Sequence, residues 1–148
     1  MGIQARKLML GLILGVLVVF GACKKEDEGP SQEEKEKELI EQYAKDNSLN
    51  GTFTSSGLYY LIIESGSAAR PDTNSNITVA YKGYFLSGSI FDKNDYTTFK
   101  LNDLIEGWKE GIPLIGEGGE ITLLVPSHLA YHDDVVRAFD ITLHKFTR

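Results

Sequence analysis

The stretch Leu104–Tyr131, LIEGWKEGIPLIGEGGEITLLVPSHLAY, decides how the rest of the chain is read. It holds the only tryptophan, Trp108, in a short apolar segment framed by Gly107 and Gly111. Asn102 or Asp103 stands where an N-cap would, so a short helix is expected over Leu104 to Ile112, with Glu106 in its first turn. Beyond the glycines Gly116, Gly118 and Gly119, the run Glu120 to Val125 has the length and composition of a strand. It is closed by Pro126, which has no N–H to continue a ladder. A lone indole between two glycines, close to a strand and to Tyr131, fits an aromatic-floored pocket, and equally a plain core filler.

Working outward, Phe139 to Phe146 alternates strictly, with Phe139, Ile141 and Leu143 on the inward side of a strand. Ile77 to Leu86 is a second alternating strand, turned at Ser87-Gly88-Ser89 and returned by Ile90-Phe91-Asp92. Lys93 to Thr98 is polar, a loop or a bulged edge, before the apolar Phe99 and Leu101. Leu58 to Ile63 is an apolar run that reads as a strand covered on both faces. Ser31 followed by Glu34 is a capping-box pattern, opening a helix from Gln32 to about Asp46. Leu39, Ile40 and Tyr43 form its narrow apolar stripe; the rest is charged, so it lies on the domain or acts as a spacer. Several strands, one short internal helix and no βαβ rhythm indicate an α+β fold with an antiparallel sheet.

The N-terminus has a different composition. Arg6 and Lys7 precede fifteen apolar residues, Leu8 to Ala22, which end at Cys23. That is the pattern of an export signal and falls short of the roughly 20 apolar residues of a membrane span. Phe20-Gly21-Ala22-Cys23 resembles a bacterial lipobox, and a single cysteine has no internal disulfide partner, so Cys23 is the expected lipidation site. The Lys-Lys-Glu-Asp-Glu that follows resembles the charged tether of some Bacteroidetes surface lipoproteins. Removing residues 1–22 leaves 13 basic and 21 acidic residues, a formal charge of −8. That balance disfavours nucleic acid, whose binding rests on Lys and Arg contacts to phosphate. The expected organisation is a lipoprotein signal over 1–22, a tether and charged helix over 23–56, and the main domain over 57–148.

Three ordered motifs within the main domain resemble the FK506-binding-protein (FKBP) family of peptidyl-prolyl cis-trans isomerases, in its exported bacterial branch. They are Val79-Ala-Tyr81-Lys-Gly83 with Phe91-Asp92; Phe99-Lys-Leu101 with Leu104-Ile105-Glu-Gly107-Trp108; and Val125-Pro126 with Leu129-Ala-Tyr131. The resemblance implies a half-wrapped antiparallel sheet around a short helix, with an N-terminal helix before it. It implies a catalytic groove containing Tyr81, Asp92, Ile105, Trp108 and Tyr131, with Phe91, Phe99, Leu104 and Phe139 binding substrate. Trp108 would carry the proline ring, and the Ile105 N–H and Tyr131 phenol would bind substrate carbonyls. The implied substrates are proline-containing polypeptides, with no cofactor and no metal, at the membrane of the bacterial envelope.

The chain departs from the family after Tyr131. A long apolar flap is usual there, but His132-Asp-Asp-Val-Val-Arg137 leaves only eight steps to Phe139. Two functions are therefore expected to compete: an isomerase assisting exported proteins, and a weak or inactive FKBP-like binding or chaperone module. His128 and His132 with Asp133 and Asp134 read as a solvated turn in preference to a metal site.

Overall fold

The computed structural model describes residues 29–148; the expected signal segment, Cys23 and most of the tether lie outside the described residues. Helix α1 spans Gln32–Asp46, and the strands are β1 (Thr52–Phe53), β2 (Tyr59–Glu64), β3 (Asn76–Phe85), β4 (Ile90–Lys100), β5 (Gly119–Val125) and β6 (Arg137–Thr147). The internal helix α2 is Glu106–Gly111, flanked by 3-10 turns at Leu101–Asp103 and Ile112–Leu114; a third lies at Ser127–Leu129. All pairings are antiparallel, and the sheet runs β1-β2-β5-β6-β3-β4. This is the α+β fold expected, with an open sheet and a helix before it.

The two-residue period of β5 and β6 builds the core on both sides of the sheet. Ile121, Leu123 and Val125 face α2 together with Phe139, Ile141 and Leu143. Leu124 and Ala138 point the other way, under Ile40 and Ala44 of α1, with Tyr59 and Val136. Each helix thus closes one face. On the α2 side the approach is close: a Cβ on Gly107 would lie 2.6 Å from Val125 Cγ1, and one on Gly111 2.7 Å from both Leu123 methyls. The two glycines that frame Trp108 lower the helix onto β5 and do not break it.

Several expectations need correction. The capping box is present, with Ser31 and Glu34 each accepting from the other's N–H, but the buried stripe of α1 is Glu36, Ile40 and Ala44, and Leu39 is 56% exposed. Leu39 lies one step round the helix from Ile40 and points off the sheet. The run Leu58 to Ile63 is covered on both faces only at its start, since Leu58 and Tyr59 are buried whereas Ile62 and Ile63 are exposed. Asn102 and Asp103 do not cap α2; they belong to a 3-10 turn, and Ile105 takes the cap position without any side-chain bond. Lys93–Thr98 is the bulged edge alternative, inside a continuous β4 whose register slips twice against β3. The two-residue β1 carries too little pattern to be read from sequence.

Candidate functional site

The groove opens on the α2 side, where the sheet curves past the helix. Its depression of about 290 Å³ is lined by Tyr81, Phe91, Asp92, Phe99, Asp103, Leu104, Ile105, Trp108, Tyr131 and Phe139. All nine residues named from the sequence for the groove therefore meet in one cavity, supplied by β3, β4, the turn before α2, α2 itself, the turn after β5, and β6. Asp103 was missed as a groove residue, because a carboxylate just before an apolar run reads as a cap.

Trp108 forms the floor. It is 4% exposed and ringed edge-on by Tyr81 (5.3 Å between centroids), Phe139 (5.4 Å) and Phe99 (6.3 Å). Both readings of the indole are satisfied, since it belongs to the core and lines the cavity. Its Nε1–H is buried with no partner among the described residues. Gly83 makes the wall possible: a Cβ there would come within 2.7 Å of the Phe91 ring and 3.0 Å of Phe139. Without it, Phe91 packs edge-on against Phe139 at 5.6 Å.

Polar groups sit at the rim. The Tyr81 hydroxyl donates to Asp92 Oδ2 at 2.7 Å. Burial, reinforced by that bond and by the Asp92 charge, pushes the Tyr81 phenol up to about 12, so it remains a donor at neutral pH. Ile105 is extended (φ −62°, ψ 152°), and its carbonyl accepts from Trp108 and Lys109, starting α2. No protein acceptor for its own N–H is found among the described residues.

Tyr131 is 55% exposed and sits on a turn hung from one carbonyl: the Ala130 N–H (3.0 Å) and His132 N–H (2.9 Å) both donate to Ser127 O. The short loop after it is pinned by Arg137, which donates to both Asp133 oxygens at 2.8 and 2.6 Å and to Val135 O at 3.1 Å. The same guanidinium stands over the rings of Tyr131 (4.6 Å), Phe85 (5.7 Å) and Phe91 (5.8 Å). The hydrogen bonds to Arg137 hold the Asp133 carboxyl below its ordinary range. Val136 is buried under α1, so it serves as core and not as a lid. Arg137 was missed by sequence reading, although Asp133 and Arg137 are an opposite-charge pair four residues apart.

His128 and His132 do not converge with Asp133: His128 Nε2 lies 2.9 Å from Ser56 O, and Asp133 is held by Arg137. A wider depression of about 360 Å³ on the opposite face includes Lys82, Thr122 and Asp140. There the Asp140 carboxylate already accepts from Thr122 and Tyr84 and pairs with Lys82 at 2.9 Å. The groove, by contrast, offers an apolar floor with the Ile105 N–H and Tyr131 phenol unspent, suited to a small apolar ring joined to carbonyls.

Residues 67–144 match the family described as FKBP-type peptidyl-prolyl cis-trans isomerase. A probable FKBP-type peptidyl-prolyl cis-trans isomerase FkpA of Neisseria meningitidis is 38% identical over 134 residues, covering 88% of this chain and 48% of the relative. The FkpA isomerase of Escherichia coli is 37% identical over 114 residues, 74% of this chain and 41% of the relative. The crystal structure of Escherichia coli FkpA superposes with a TM-score of 0.70 at 31% identity, covering 78% of this chain and 59% of that one. The chain thus spans between a third and a half of the length of the curated relatives it matches.

Proposed function

Because the chain belongs to the FKBP-type peptidyl-prolyl cis-trans isomerase family, we propose that it accelerates rotation about X–Pro bonds in exported polypeptides. The observation that supports this most directly is the meeting of nine family-type groove residues over one buried tryptophan. Rotation about a peptide bond faces a barrier of about 18–20 kcal/mol, and X–Pro isomers interconvert in tens to hundreds of seconds. No covalent bond forms or breaks, so the task is to bind the twisted amide better than either planar isomer. The twisted amide has lost its resonance and is less charge-separated, and the aromatic floor over Trp108 favours it over the planar form. The Ile105 N–H and Tyr131 hydroxyl hold the flanking carbonyls, and Asp92, oriented by Tyr81, adds electrostatic bias. A preference of about 6 kcal/mol for the twisted form corresponds to roughly four orders of magnitude in rate.

Turnover of a short X–Pro peptide tests this. Acceleration above the spontaneous rate is expected, reduced at least tenfold by Trp108→Ala and several-fold by Tyr131→Phe. An unchanged spontaneous rate sinks the enzyme reading. The second reading, a binding or chaperone module, is favoured by the short loop that leaves Tyr131 exposed. It predicts peptide binding, weakened by Trp108→Ala, without turnover.

The bacterial envelope is the proposed site of action, supported by the export-signal pattern over Arg6 to Cys23. More specifically, Cys23 would carry a lipid that ties the chain to a membrane, as in a Bacteroidetes-like exported lipoprotein, and the units would divide as 1–22, 23–56 and 57–148.

A further inference from the structure

Glu36 is a buried carboxylate on α1 that the proposed reaction does not use. It is 1% exposed, within a helix whose outer faces are charged and solvated. Its Oε2 accepts from the Ser127 N–H at 2.8 Å across 91 residues of sequence, and its Oε1 accepts from Gln32 Nε2 at 2.9 Å. Burial alone raises a carboxyl, but the bonds from Gln32 and Ser127, with the nearby His128, bring it below its ordinary range. A buried carboxylate is kept only where its partners are good, because its desolvation is costly.

The other end of that hydrogen bond is the foot of the Tyr131 turn. Ser127 is 5% exposed; its N–H is taken by Glu36 and its carbonyl accepts from Ala130 and His132, the two residues flanking Tyr131. Ser127 therefore fixes the turn from within, and Glu36 fixes Ser127. On the other side of Tyr131 the loop is held by Arg137, and four of its five residues before Arg137 are exposed. The helix that supplies this support lies outside the family-matched residues 67–144.

We propose that Glu36 is a positioning residue for Tyr131: the N-terminal helix reaches across the sheet and sets the turn that presents the phenol to substrate. The proposal rests on the isomerase reading only for its kinetic part. In the full chain, the Glu36→Ala variant is expected to speed amide exchange at Ser127, Ala130 and His132 at least tenfold while Ile141 and Leu143 in β6 stay protected. It should raise KM for an X–Pro peptide several-fold with a smaller change in kcat. Glu36→Gln, which keeps an acceptor for the Ser127 N–H, should restore most of both. If Glu36→Ala does not fold, Glu36→Asp, with its carboxylate drawn back by one methylene, decides in its place.

Unchanged exchange in the Ser127–His132 turn overturns the proposal. So does exchange that rises equally in β6, or local exchange that rises with KM and kcat unchanged in an active enzyme. Absence of turnover in the unmodified chain would refute the isomerase reading alone. The exchange comparison would then decide whether Glu36 sets the turn.

Discussion

Arg137 holds the short loop after Tyr131 from a single side chain. One guanidinium spans Asp133, which follows Tyr131 by two residues, and stacks on Tyr131 itself. A planar fork is needed for both contacts, and lysine would keep only the charge. Arg137→Lys is therefore expected to lower kcat/KM roughly 2- to 5-fold, the range of an exposed cation–π contact of about 0.5–1 kcal/mol. The thermal midpoint should barely move, because Asp133 is exposed and the pair contributes little to stability. A large fall in the midpoint with unchanged kcat/KM would show that Arg137 holds the fold and not the phenol. Single residues were legible where one side chain carries a distinctive chemistry, as Trp108 does. Asp103 and Arg137 escaped because their roles depend on neighbours brought from other elements, and Gly83, though part of a quoted motif, shows its steric role only when Phe91 and Phe139 close over it.

At the scale of elements, α2 and β5 are matched surfaces, and the glycines of α2 set their spacing. Gly111 has ordinary helical backbone (φ −79°), so propensity alone predicts that alanine would stabilise it by about 1 kcal/mol. The added methyl, however, would sit 2.7 Å from both methyls of a fully buried Leu123. Overpacking of a tight core costs about 1–3 kcal/mol. Gly111→Ala is thus expected to lower stability by about 1 kcal/mol net, read as a melting midpoint a few degrees lower; a higher midpoint would contradict the close approach. A face marked by large apolar residues was readable: the alternation of β6 identified Phe139, Ile141 and Leu143 correctly. The opposite face of the same strand was not, because Ala138 carries no signal until α1 covers it. The stripe of α1 was misread for a related reason, since its buried glutamate looks like any solvated one and Leu39 looks like core.

For the whole molecule, the position of α1 constrains where the groove would stand. Ser31 lies beside Pro126 and His128, on the side of the sheet that carries the Tyr131 turn. If Cys23 is lipidated, the seven residues 24–30 reach at most about 25 Å, at roughly 3.3–3.6 Å per residue. Labelled palmitate should then enter the chain and be lost in Cys23→Ala, with the protein leaving the membrane fraction; retention of label in that variant would refute the anchor. The strand order has a separate consequence. β6 is last in sequence among the six strands yet stands between β5 and β3. Before Arg137–Thr147 is in place, β1-β2-β5 and β3-β4 share no pairing and form two separate ribbons. A chain threaded through a membrane N-terminus first would hold both ribbons with unpaired edges until that final strand arrived. This protein would then pass through the same exposed interval from which it is proposed to help others escape.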